Sequence, residues 1–142
     1  MSDPAEIARN KALLRAVIEE YWTMAQGLDE LAQHIAPGYV HHIGETDFTF
    51  EQFKGGVTHI QAFFPTLRYA VTHIVAEGDM YAVLLQCVMT HTGNAEGIAP
   101  TGKVIECTGA YHCRIVDGKI VEDWDAWMIL GVFSQIRAAL HS

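Results

Sequence analysis

After Pro65 the chain changes character: Val, Ile, Tyr and Thr become frequent, and turn residues recur at Glu77-Gly78-Asp79, Thr101-Gly102 and Asp117-Gly118. This spacing predicts four long strands at about Arg68 to Ala76, Met80 to Thr92, Lys103 to Ile115 and Lys119 to Met128, joined as an antiparallel meander. A sheet of such strands must cover one apolar face, and the preceding residues read as helices able to do so. A closing helix is expected from about Leu130 to Leu140. Helices first and a long curved sheet afterwards make an α+β domain, a cone with an interior.

The helical part has good start signals. Asp3 can cap a helix with Pro4 at its first position and Glu6 reaching back. Ile7, Leu14, Val17, Ile18 and Tyr21 then recur at helical spacing, which predicts one amphipathic helix ending near Gly27. Leu28, Leu31 and Ile35 suggest a second, short helix stopped by Pro37-Gly38, after which Tyr39-Val40-His41-His42 forms a brief strand. Thr49 with Gln52 resembles a capping box opening a third helix, which ends at Pro65 and which Gly55-Gly56 would let bend.

The chain's 142 residues, half of them apolar, suit a single domain over residues 1–142 with one core. A net charge of −8 with nine basic residues opposes binding to nucleic acid, which needs clustered Lys or Arg. Asp3 and Glu6 stand where a targeting segment would carry basic residues, and no apolar run approaches the roughly 20 residues that span a bilayer. The chain therefore reads as soluble and cytoplasmic, with no membrane partner. Cys87, Cys107 and Cys113 lack metal-type spacing and read as reduced core thiols.

Strand parity gives the interior some chemistry. In the third long strand Ile105, Cys107, Gly109, Tyr111, Cys113 and Ile115 share the face expected to line the pocket, with Tyr111 its strongly polar member. The last strand is ambiguous: Val121, Asp123, Asp125 and Trp127 alternate with Ile120, Glu122, Trp124, Ala126 and Met128, and a bulge near Trp124 would reset the parity. Either acid could face inward. An inward Asp flanked by Trp124 and Trp127 would lose hydration and become a stronger base toward a carbon acid, whereas an outward one would be an ordinary solvated residue. His41 and His42 point to opposite faces of a strand, which argues against a shared metal ion but leaves His41 able to enter the pocket as a hydrogen-bond donor or general acid. Tyr21, Trp22, Phe53 and Phe63 read as core aromatics, some of which can also line a cavity, and the Gly93 to Gly102 stretch as a hairpin lip over its mouth. No serine-nucleophile elbow or phosphate-binding glycine loop is present.

Taken in order, Asn10-Lys11, Pro37 to His41, Phe63 to Arg68, Ala76 to Asp79, His91-Thr92-Gly93, Gly97 to Lys103 and Arg114 through Trp124 resemble the SnoaL-like polyketide cyclases. That family is a branch of the nuclear transport factor 2-like superfamily. The resemblance implies a cone in which a curved mixed or antiparallel sheet is wrapped around a pocket by three N-terminal helices, with a short C-terminal helix. It also implies ring closure of a hydrophobic polyketide-like substrate by intramolecular aldol chemistry, without metal or nicotinamide, in a homodimer. The family's catalytic Asp aligns with Asp125. Tyr111 stands where characterised cyclases carry a His, and His41 where they carry an Asn, so these two become the expected partners of the base. Met128 replaces a frequent Asp and Ala99 a frequent Pro. Trp124, Trp127, Tyr21, Phe53 and Cys107 are the expected substrate-binding walls. The alternatives are an isomerase or epoxide hydrolase on the same fold, a noncatalytic small-molecule binder, or an assembly domain.

Overall fold

Helix α1 (Pro4–Ala16) opens where the capping chemistry places it: the Asp3 carboxylate accepts the Glu6 N–H at 2.9 Å, with Pro4 inside the first turn. Helix α3 (Phe50–Phe63) opens on a complete capping box, in which the Thr49 hydroxyl accepts the Gln52 N–H and the Gln52 side chain accepts the Thr49 N–H. A cap of either kind is typically worth about 1 kcal/mol. The computed structural model describes residues 3–23, 27–94, 98–126 and 135–137. Of the closing helix expected over Leu130 to Leu140, residues 135–137 are described and helical; the rest, with Trp127 and Met128, lies outside the described residues.

The first helix does not run unbroken to Gly27. After Ala16 it widens into a π-helical turn, Val17–Tyr21, in which the Trp22 N–H reaches back to the Val17 carbonyl. Such a turn inserts one residue and rotates the residues after it. Val17 and Ile18 keep their fully buried places while Trp22 swings over the sheet, edge-on to Tyr69 and Tyr111. Gly27 is explained by a close approach rather than a helix stop: a Cβ there would lie 2.4 Å from the Tyr21 carbonyl oxygen. It begins the short helix α2 (Gly27–Ala32).

The meander is as the turns predict, with β3 (Arg68–Glu77), β4 (Met80–Thr90), β5 (Val104–Val116) and β6 (Lys119–Ala126) paired antiparallel in succession. At the β5–β6 hairpin both Asp117 and Gly118 have positive φ, the primed turn whose twist matches the flanking strands. On β5 every position expected to face inward is buried, from Ile105 through Ile115.

The N-terminal strand differs from expectation. β1 (Ile35–Ile43) already includes Ile35, which the apolar spacing had assigned to a helix, and is nine residues long rather than brief. Pro37 and Gly38 sit within it, in an irregularity between Ile35 and Val40 where Gly38 takes a φ of 79°. Proline and a left-handed glycine are tolerated in a strand at such a break. β1 pairs antiparallel with the short β2 (Thr46–Phe48) and parallel with β6, so the sheet order is β2-β1-β6-β5-β4-β3. The result is an open, mixed six-stranded sheet, the expected α+β architecture. The helices cover its inner face, joining Leu14, Leu31, Phe53, Val83, Leu85 and Ile105 in one core. Among the described residues, no helix is long and apolar enough to cross a membrane.

Candidate functional site

The orientation of the acids on β6 depends on one extra residue. Arg114 pairs with Glu122 but Ile115 pairs with Ile120, leaving Val121 as the bulge, three residues before the expected position at Trp124. Ile120 faces the core at 1% exposure, and the inserted residue then turns Asp123 inward instead of Glu122. Asp125 follows on the same side as Asp123. Periodicity left the choice between the two acids open; in the folded chain both face inward, at different depths.

Asp123 is sealed in. At 2% exposure it accepts hydrogen bonds on Oδ2 from the Tyr39 hydroxyl at 2.7 Å and the Tyr111 hydroxyl at 2.5 Å, and its Oδ1 meets His41 Nδ1 at 2.5 Å. A buried carboxylate is costly unless its lone pairs are satisfied, and three donors satisfy this one. Burial, reinforced by the charge of Asp123, pushes both tyrosine hydroxyls well above the ordinary phenol range, so they stay protonated and donate. An ionised Asp123 only accepts, which places a hydrogen on Nδ1 of His41 and turns Nε2 toward Asp125 Oδ2, 3.4 Å away.

Asp125 and His41 border a cavity of about 240 Å3 between α3 and the sheet. Its walls are mostly apolar: Trp22, Phe53 and Leu67 toward the core, Ile43, Phe48 and Val57 elsewhere. Among the described residues, the polar side chains reaching it are His41, Asp125, Gln52 and Tyr69, with the Tyr69 hydroxyl pKa raised by burial. The Asp125 side chain is 12% exposed against 3% for His41, so the carboxylate is the more accessible member of the pair. Phe53 packs edge-on against the His41 ring at 4.8 Å between centroids and helps hold it. Among the described residues no group of three His, Cys, Asp or Glu side chains is arranged to hold a metal ion.

The family model for the SnoaL-like polyketide cyclases matches residues 12–136, most of the chain. The chain belongs to this family. No curated protein sequence matches it. Among solved structures, this SnoaL-like chain is similar to AclR of Streptomyces galilaeus, a candidate hydroxylase, at 28% identity and a TM-score of 0.81 over 92% of this chain and 82% of that one. It is also similar to IdmH of Streptomyces antibioticus, a candidate polyketide cyclase, at 28% identity and a TM-score of 0.77 over 92% and 97% of the two chains. A candidate SnoaL-like cyclase from Jannaschia sp. CCS1 shares the fold at 20% identity, with a TM-score of 0.84 over 97% of each chain.

Several expected site residues of this SnoaL-like chain lie elsewhere. Tyr111 is inward, as parity predicted, but its hydroxyl bonds Asp123 and it is not among the cavity-lining residues. Trp124 is on the outer face because of the bulge, stacked on His42 with centroids 5.1 Å apart. His42 there bridges Asp47 and Glu122, and Glu122 continues to Arg114. Tyr21 stacks on His34 and is not among the cavity-lining residues, and Cys107 faces Cys87 across β4 and β5 while its Sγ accepts from Gln135. Burial pushes the Cys87 thiol up to about 12, which suits an inert core residue rather than a reactive one. Trp127 lies outside the described residues. Phe53 and His41 both line the cavity, and the described part of Gly93 to Gly102 supplies none of the lining. Trp22, read as a core aromatic able to line a cavity, does line it, whereas sequence reasoning missed Gln52 and Tyr69 as walls and Tyr39 as a partner of Asp123. For Tyr39 a signal existed, since it shares a strand face with His41 two residues on.

Proposed function

We propose that this SnoaL-like chain is a cofactor-independent acid–base enzyme that closes a ring on a hydrophobic polyketide-like substrate by intramolecular aldol chemistry. Asp125 removes a proton from carbon beside a carbonyl, the C–H electron pair passes into an enolate, and the enolate carbon attacks a second carbonyl of the same molecule. The proton held by Asp125 is then returned to the new alkoxide across Nε2 of His41, 3.4 Å away, which accepts it from the Asp125 carboxyl and passes it on, so the product carries a hydroxyl group and both residues end as they began. Asp123, held by Tyr39 and Tyr111, acts as a positioning residue that keeps Nε2 of His41 aimed at the substrate. The observation that carries this reading is the 3.4 Å approach of Asp125 to His41 Nε2 at the edge of an apolar cavity, with the other ring nitrogen committed to a buried carboxylate.

The reading includes a homodimer formed through the outer sheet face, supported by Leu84, Val88 and Val104, which are 40–54% exposed there; sedimentation would show a species of twice the chain mass. It places the enzyme in a reducing compartment such as the cytoplasm, in keeping with three cysteines held as thiols.

Proton abstraction is testable before the substrate is known. The protein is offered a panel of aryl-substituted polyketones deuterated beside the carbonyl, and loss of deuterium is followed by mass spectrometry. Wild type should accelerate washout from at least one compound, and Asp125→Asn should slow it by about 10²-fold or more while the compound still binds. Washout by Asp125→Asn at the wild-type rate would remove the base from the mechanism.

A further inference from the structure

Helix α3 carries two adjacent glycines, Gly55 and Gly56, near its middle. Glycine is a poor helix residue, second only to proline, and it persists in a helix interior where a left-handed backbone or a close contact demands it. Neither reason applies here. Neither residue has a positive φ, and a Cβ added to either meets no atom within 4 Å.

The two differ in what they face. Gly56 lies on the cavity wall, one turn after Gln52 and one turn before Ile60, which line it too; Gly55 does not. The missing side chain at Gly56 therefore opens a gap in a helix wall otherwise made of Gln52, Phe53, Val57 and Ile60. A cavity of about 240 Å3 is below the roughly 300–1,000 Å3 usual for small-molecule sites, so a polycyclic ligand reaching Asp125 must leave part of itself outside.

We infer that Gly56 is the specificity-determining position of this site: the gap it leaves in α3 lets an elongated fused-ring ligand lie against the helix backbone with one end at Asp125 and the other protruding. This rests on the proposed function for the choice of a polycyclic carbonyl compound, but its test reads binding and not turnover. A single-ring ligand fits inside without using the gap. An elongated one needs it.

The experiment compares Gly56→Ala, Gly56→Leu and the matched controls Gly55→Ala and Gly55→Leu in the full chain. Each is titrated with acetophenone, a single ring, and with 2-acetylanthracene, three rings in line. Gly56→Leu should weaken the three-ring probe by about tenfold or more, as added methylenes do in an apolar site, and Gly56→Ala by less. Acetophenone should keep its affinity within about threefold, and both Gly55 variants should bind both probes like wild type. Both alanine variants should melt no lower than wild type, because alanine is the better helix residue and nothing is displaced. Unchanged 2-acetylanthracene binding by Gly56→Leu overturns the inference, as does an equal loss in Gly55→Leu or a wild type that binds neither probe. If Asp125→Asn still exchanged deuterium while the Gly56 series behaved as described, the base assignment would fail and the gap would stand.

Discussion

Asp123 and His41 face each other across the parallel β1–β6 pair, carboxylate Oδ1 to imidazole Nδ1 at 2.5 Å, although 82 positions apart in the chain. The contact decides which ring nitrogen faces the cavity. Asp123→Asn keeps the shape but can present an N–H where an acceptor is needed, favouring the other tautomer. We expect turnover to fall by about 10²–10⁴-fold with KM little changed, the pattern of a misaligned histidine. The 15N resonances of His41 check the cause, and they should report a changed tautomer in the variant even without substrate.

Tyr39 and Tyr111 converge on one oxygen of Asp123, from strands on either side of β6. Replacing either by Phe removes one donor from a buried carboxylate, at an expected cost of about 1–3 kcal/mol in urea unfolding. Because both serve the same atom, the double variant should depart from the sum of the singles by about 0.5 kcal/mol or more. Strict additivity would mean that the two hydroxyls act independently.

Glu19, in the π-helical turn, accepts the Val71 N–H at 2.8 Å where β3 breaks register between Val71 and His73. Arg15 sits alongside, 3.8 Å from the same carboxylate and half-exposed. Glu19→Ala should destabilise the fold by about 1–3 kcal/mol, since it strands a backbone donor at a buried strand position. Arg15, which also donates to the Val71 carbonyl at 3.3 Å, is half-exposed, so Arg15→Ala should cost less, about 1 kcal/mol, because water can reach the carbonyl it leaves. Equilibrium unfolding of the two variants checks whether the buried Val71 N–H bond to Glu19 outweighs the half-exposed bond of Arg15 to the Val71 carbonyl.

His42 is raised above the ordinary histidine range by its hydrogen bonds to Glu122 and Asp47, and Glu122 is lowered by its bond to His42. The histidine's contribution to stability is complete below its unfolded pKa of about 6.5 and fades as pH rises through its higher folded value. The Glu122 contribution is present above its unfolded pKa and is lost in acid, as pH falls through the lowered folded value. Wild type should therefore lose melting temperature from near neutrality toward mildly alkaline pH, and His42→Gln should flatten that limb. Identical slopes in calorimetric scans would show that the outer pair contributes nothing measurable.

The helix caps at Asp3 and Thr49, the four meander strands and the inward face of β5 were all readable from the residues, because each is encoded within a short stretch by capping chemistry or by a period of two. The extent of β1 was not, because Pro37-Gly38 signals a stop and only the parallel partner β6 supplies the hydrogen bonds that carry the strand past it. The π-helical turn also escaped, since Val17, Ile18 and Tyr21 fit an ordinary helical period and only the position of Trp22 over the sheet distinguishes the two.

By itself the amino-acid sequence determined an α+β chain with helices followed by a meander, an apolar inner sheet face, and a pair of acids near the end of the last strand, since local periodicity and turn chemistry suffice for these. Tertiary structure alone decided that both acids turn inward, that Asp123 is locked beneath and Asp125 left at the cavity, that Tyr111 serves a carboxylate and that Trp124 lies outside. The physical reason is that a single inserted residue at Val121 inverts every side chain after it, and its place is set by how β5 and β6 register together.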